Sequence, residues 1–195
     1  MASTLIRCFV AIELPAAVKA ELSALQQQFK AARMDFARWV NPESIHLTLK
    51  FLGEVPQERV PEMVKAIEEA VDGIKPFSLE LNGLGVFPNA RQPRVFWVGV
   101  GGDLERLKTL QGNADVTLGA LGFEEEQREF TAHLTLARMR DDAAPDQKRA
   151  FGELVGRTSF ESRHRFTVHG VNLMRSQLKP TGAVYTALAV VPFKP

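Results

Sequence analysis

Ser44-Ile45-His46-Leu47-Thr48-Leu49-Lys50-Phe51 and, 87 positions on, Thr131-Ala132-His133-Leu134-Thr135-Leu136-Ala137-Arg138 both carry the pattern His-Leu-Thr-Leu in a chain of 195 residues. Successive side chains of a strand point to opposite faces, so His46 and Thr48 share one face while Leu47 and Leu49 share the other, and the same holds for His133 and Thr135. Each stretch therefore predicts a strand whose leucines anchor it on a core and whose imidazole and hydroxyl face away from that core.

The surroundings repeat as well. Phe9 of Phe9-Val10-Ala11-Ile12 precedes His46 by 37 residues, and Phe96 of Phe96-Trp97-Val98-Gly99 precedes His133 by 37. Phe77 follows His46 by 31 residues and Phe166 follows His133 by 33. Between these marks the apolar residues keep a helical period at Val18, Leu22, Leu25 and Phe29, and again at Val60, Met63, Val64, Ile67 and Val71. Pro15 and Pro56 stand where they open those helices. A strand, helix, His-x-Thr strand, helix, strand order thus occurs twice, which predicts two similar lobes related by a pseudo-twofold axis, each an antiparallel sheet with helices on its outer side. Leu84 to Arg94 is expected as a connection between the lobes, and Ser176 to Tyr185 as a hairpin turn before a last strand from Ala183 to Val191. The whole chain, 1–195, is expected as a single bilobal domain.

Composition narrows the chemistry. Hydrophobic residues make up 45% and charged residues 24%, as in ordinary globular proteins. A net charge of +1 argues against a protein that grips long nucleic acid through many phosphates, so any polyanionic partner is small or held at one patch. One cysteine, Cys8, fits a reducing compartment, and the apolar run near the N-terminus is too short for a signal peptide or membrane span, so a cytoplasmic protein is expected. The chain is expected to be a monomer.

If the two lobes face one another, two histidines and two threonines meet in one cleft. Two imidazoles without thiolate or carboxylate companions fall short of a usual metal site, so no metal and no cofactor are expected; the acidic run Glu124 to Glu126 is expected as a solvated turn. The set suits a phosphodiester, where in-line displacement needs a base on the attacking oxygen and an acid on the leaving oxygen. Histidine titrates near about 6.5, so one copy can be neutral and the other protonated. Threonine hydroxyls can donate to non-bridging phosphoryl oxygens. Arg138 lies three positions after Thr135 and faces the other way in a regular strand; only a bend or bulge brings it round.

The two His-x-Thr motifs, with Arg7 to Pro15, Trp39 to Val55, Pro93 to Val100, His133 to Arg138 and Ser176 to Tyr185, resemble the two-histidine phosphoesterase superfamily, and more narrowly the RNA 2′,3′-cyclic phosphodiesterases, also called 2′-5′ RNA ligases. That resemblance implies a bilobal α+β fold, two pseudo-symmetric antiparallel sheets facing a central cleft with helices outside, and metal-independent hydrolysis of an RNA or nucleoside 2′,3′-cyclic phosphate to a 2′-phosphomonoester, with a weak reversible 2′-5′ joining of RNA ends. It implies that His46, Thr48, His133 and Thr135 are the catalytic quartet, with His133 as base and His46 as acid, and that Arg138 contacts phosphate. Relatives commonly have proline where this chain has Ala132, and often an acidic residue where it has Arg175, a change expected near the cleft rim.

Among other residues, Phe9 is a candidate for stacking a base, whereas Trp39 and Phe130 read as core. Lys50, Arg91 and Arg94 form a candidate basic rim. His164 and His169 read as surface or edge histidines. The alternative to an enzyme is a module that binds a nucleotide or an RNA end without turning it over.

Overall fold

The computed structural model describes residues 4–32, 35–127, 129–179 and 182–194. Among the described residues nine strands and four α-helices follow in chain order: β1 (Leu5–Glu13), α1 (Ala16–Lys30), β2 (Ala37–Trp39), β3 (His46–Pro56), α2 (Val60–Ala70), β4 (Phe77–Phe87), β5 (Val95–Gly102), α3 (Leu104–Gly119), β6 (His133–Met139), α4 (Pro145–Arg157), β7 (Glu161–Val168), β8 (Gly170–Lys179) and β9 (Gly182–Pro192). They form two antiparallel sheets, β3-β1-β8-β9 and β2-β6-β5-β4-β7. The expected hairpin of β8 and β9 is present, with Lys179 opposite Gly182. Its turn residues, Pro180 and Thr181, lie outside the described residues.

The two sequence halves are interleaved. β4 belongs to the first half yet pairs with β5 and β7 in the second sheet; β8 and β9 belong to the second half yet complete the first sheet on β1. The helices cross too. α1 leaves β1 but packs on the second sheet: its Phe29 lies 4.7 Å from Phe96 of β5 and 6.0 Å from Phe151 of α4, and its Glu21 accepts a 2.6 Å hydrogen bond from the Ser162 hydroxyl of β7. α3 leaves β5 but packs beside α2 against β3 of the first sheet, where Asn113 Nδ2 donates to the Ala70 carbonyl at 3.0 Å. One continuous apolar core runs through both sheets.

Two expectations change. Leu84 to Arg94 is not wholly a connection: β4 continues through Phe87 after a bulge between Leu81 and Leu84. The repeat is also one residue out of step in the first strands. Thr48 pairs with Ala11 and Thr135 with Trp97, so Val10 corresponds to Phe96, and Phe9 to Val95. A one-residue slip reverses the face in a strand, which puts Phe96 in the helix-covered core and Phe9 on the other side of its sheet.

Candidate active site

β3 is the edge strand of the first sheet. β6 lies one strand in from the edge of the second, but its neighbour β2 covers only residues 137 to 139. The two motif strands come within 8 Å of one another, Cα to Cα, at the seam between the sheets. His46 and His133 are each the first residue of their strand.

Burial follows the alternation read from the sequence: Leu47, Leu49, Leu134 and Leu136 are buried, while His46, Thr48, His133 and Thr135 are half-buried. Both imidazoles are fixed in the same manner. Nδ1 of His46 lies 2.9 Å from the Ser44 carbonyl, and Nδ1 of His133 lies 2.7 Å from the Thr131 carbonyl, two residues upstream in each case. A carbonyl only accepts, so Nδ1 carries the proton in both rings. Nε2 is left as the lone-pair nitrogen of the neutral ring, or as an acid in the charged one.

The rings have different neighbours. Phe9 stacks on His46 at 4.6 Å between centroids and Tyr185 meets it edge-on at 4.8 Å, whereas His133 is flanked edge-on by Phe87 at 5.1 Å and by Trp97 at 6.2 Å. Burial pushes the His46 pKa down from the usual histidine range; the Ser44 carbonyl opposes that, and the nearby Lys19 ammonium adds to it. Lys19 is itself tethered, donating to the Glu43 carbonyl at 3.1 Å just before Ser44.

Arg138 comes round through a bulge. Trp97 pairs with Thr135 but Phe96 pairs with Ala137, so Leu136 is an extra residue in β6. Leu136 and Ala137 are both buried and Arg138 is exposed, on the face of His133 and Thr135. Gln26 of α1, fully buried, supports this bulge from behind. Its Nε2 donates to Leu136 O at 3.0 Å and to Val40 O at 2.8 Å, and the Val40 N–H also donates to Leu136 O at 2.9 Å. One side-chain amide thus ties the bulge to the chain leading into His46.

β3 has the matching bulge, with Val10 opposite Lys50 and Ala11 opposite Thr48. There Lys50 turns inward: it is 5% exposed, pairs with Asp115 of α3 and donates to the Glu124 carbonyl at 2.6 Å. Lys50 is therefore not part of a basic rim. The residue brought to the cleft face is Phe51, 66% exposed, at the place Arg138 holds in the other half.

Phe9 does not offer a face to a base. It is 3% exposed, with one ring face stacked on His46 and the Tyr185 ring edge-on against it. Arg175 also departs from expectation. It sits opposite Cys8, on the helix-covered side of β8, because Met174 takes the side shared with Phe9. Arg91 and Arg94 are exposed beyond β4, His164 and His169 are exposed, and Trp39 and Phe130 pack on the core.

Two residues were missed from sequence, Phe51 and Arg38. Arg38 of β2 pairs directly with Arg138, and both are exposed. Neither carries a local motif; only the bulges and the β2–β6 pairing place them. Among the described residues no three His, Cys, Asp or Glu side chains gather as a metal site. Among them, too, no helix is long and apolar enough to cross a membrane.

The family model for LigT-like phosphoesterases matches this chain twice, over residues 12–97 and 100–185, one copy for each half. Relatives named RNA 2′,3′-cyclic phosphodiesterase include one from Methanothermobacter thermautotrophicus, 32% identical over 95% of this chain and 97% of the relative, and one from Thermotoga maritima, 33% identical over 93% and 92%. Among solved structures, TT0787 of Thermus thermophilus superposes with a TM-score of 0.78 at 29% identity, covering 96% of this chain and 98% of that one. Escherichia coli LigT complexed with 3′-AMP superposes at 0.76 and 22% identity over 98% of this chain and all of that one, a likeness of fold. With a matched unit in each half and a paired His-x-Thr at the seam, the chain belongs to the LigT-like phosphoesterases.

Proposed function

We propose that the protein is an enzyme that hydrolyses RNA or nucleoside 2′,3′-cyclic phosphates to 2′-phosphomonoesters without a metal ion. The observation that carries this is the matched presentation of two imidazoles, each held through Nδ1 by a carbonyl two residues upstream, on strands that meet at the seam. Relatives named RNA 2′,3′-cyclic phosphodiesterase match nearly the whole chain, which supports the substrate class.

In this reaction water attacks phosphorus while the bond from phosphorus to the ribose 3′-oxygen breaks. His133 takes the water proton on Nε2, and His46 returns a proton from its Nε2 to the departing 3′-oxygen, leaving phosphate on the 2′-oxygen. Thr48 and Thr135 hydroxyls donate to the non-bridging oxygens, and the Arg138 guanidinium compensates their charge. When the 5′-hydroxyl of a second RNA replaces water as the attacking group, its proton goes to His133, the 3′-oxygen again leaves with a proton from His46, and the ends are joined through a 2′-5′ linkage. Phe51 supplies the exposed ring on which the terminal base stacks, in place of Phe9. The proposal takes the protein as one bilobal domain, monomeric, in the cytoplasm.

The test is a short RNA ending in 2′,3′-cyclic phosphate, incubated with the protein and EDTA, with the product resolved as 2′- or 3′-phosphate. A 2′-phosphate that disappears in both His46→Ala and His133→Ala is the expected result. An untouched cyclic end, with nucleotide affinity intact in His46→Ala, turns the cleft into a binding module; activity only on adding metal removes the paired-histidine mechanism.

A further inference from the structure

Arg38 and Arg138 face each other across β2 and β6 as a directly opposed pair. Side chains so opposed lie on one face about 5 Å apart at Cβ, and like charges there repel. Their neighbours show which face it is. Ala37 opposes Met139 and Trp39 opposes Ala137, all on the core side, while Arg38 and Arg138 are exposed. Because of the bulge at Leu136, that exposed face is the one carrying His133 and Thr135.

The repulsion is not relieved by an ion pair. Among the described residues neither guanidinium has an acidic partner within ion-pair distance. The acidic group that acts electrostatically on Arg38 is Asp142, whose carboxylate is already held by Arg140 through two hydrogen bonds of 3.0 and 2.8 Å. Two guanidinium groups kept side by side on an open face, next to a phosphodiester site, are poised for anions. Guanidinium is suited to phosphate because its planar fork meets two oxygens at once.

We propose that Arg38 binds the phosphodiester on the 5′ side of the terminal nucleotide while Arg138 holds the cyclic phosphate, so that the pair reads a strand end rather than an isolated nucleoside cyclic phosphate. This rests on the phosphodiesterase function proposed above. β2 is only three residues long, yet it forms the sheet edge beside residues 137 to 139 of β6, next to Arg138. A polynucleotide leaving the cleft along that edge meets Arg38 next.

The experiment compares wild type and Arg38→Gln on three substrates: adenosine 2′,3′-cyclic phosphate, the same nucleotide bearing a 5′-phosphate, and the dinucleotide ApA ending in a 2′,3′-cyclic phosphate. The expected result is that the ratio of kcat/KM for the dinucleotide to that for the plain nucleotide falls about tenfold in the variant, as for loss of one charged hydrogen-bonding partner. The slope of log kcat/KM for the dinucleotide against log salt should become shallower by about 0.7, the share of one phosphate contact on a single strand. A ratio and slope unchanged from wild type overturn the proposal. So does an equal loss on all three substrates, which would make Arg38 a general support for Arg138. A loss confined to the 5′-phosphorylated mononucleotide overturns the strand in favour of a small nucleotide. Wild type inactive on every substrate would overturn the phosphodiesterase function itself, an outcome distinct from the others.

Discussion

His46, proposed above as the general acid, has Phe9 flat against it, Tyr185 at its edge and the Lys19 ammonium nearby. Burial first and Lys19 second lower its pKa, so in the free protein the neutral ring is favoured at neutral pH. A general acid must be protonated, and an anionic phosphate in the cleft raises the pKa of a ring beside it. The alkaline limb of kcat/KM, which reports the free enzyme, is therefore expected at lower pH than the alkaline limb of kcat, which reports the complex. Two limbs that coincide would take His46 out of the acid role. At this scale the shared face of His46 with Thr48, and of His133 with Thr135, was legible because a period of two needs no knowledge of partner strands. Arg138 was legible only through its resemblance, since the bulge that turns it depends on β5. Phe9 lies on the cleft side of its sheet, but His46 and Tyr185 cover its ring, and contacts between β1, β3 and β9 leave no mark in a single stretch of sequence.

Among the elements, the two bulged strands are each braced by the helix that began in the other sheet's half: α1 reaches β6 through Gln26, and α3 reaches β3 through Asp115. Gln26 leaves its own Oε1 buried without a partner, a cost that an apolar side chain of similar length would avoid. Gln26→Met should therefore change unfolding free energy in urea by no more than about 1 kcal/mol, because losing the bond to Val40 O is offset by removing the orphan oxygen. Its kcat/KM should fall by about 10- to 100-fold through displacement of Arg138. In an Arg138→Ala background that loss should largely vanish, and an undiminished loss would show that Gln26 acts elsewhere. Helices and strands were readable from apolar period and from Pro15 and Pro56. The continuation of β4 to Phe87 was hidden by Gly83, Gly85 and Pro88, which signal a turn. Gly85 instead leaves room for the Trp97 ring, whose atoms would collide with a Cβ there.

For the molecule as a whole, the duplicated order announced two lobes but not that they trade parts. Sheet partnership is set by contacts between residues far apart in sequence, and neither β4 nor β8 carries a mark saying which sheet it will join. The exchange makes a definite expectation. A chain ending at residue 90 would hold β1 and β3 without β8 and β9, and β4 without β5 and β7, so it should lack cooperative thermal unfolding and near-ultraviolet circular dichroism signal. The fragment beginning at residue 91 should fail in the same way. Independent melting of either would contradict the interleaved core. Because each fragment carries one His-x-Thr strand and the strands the other is missing, mixing the two should restore a cyclic-phosphate hydrolysis that neither has alone. The crossing of β4 and β8 thus makes the protein a natural split enzyme, whose signal would report that two polypeptides fused to its halves have met.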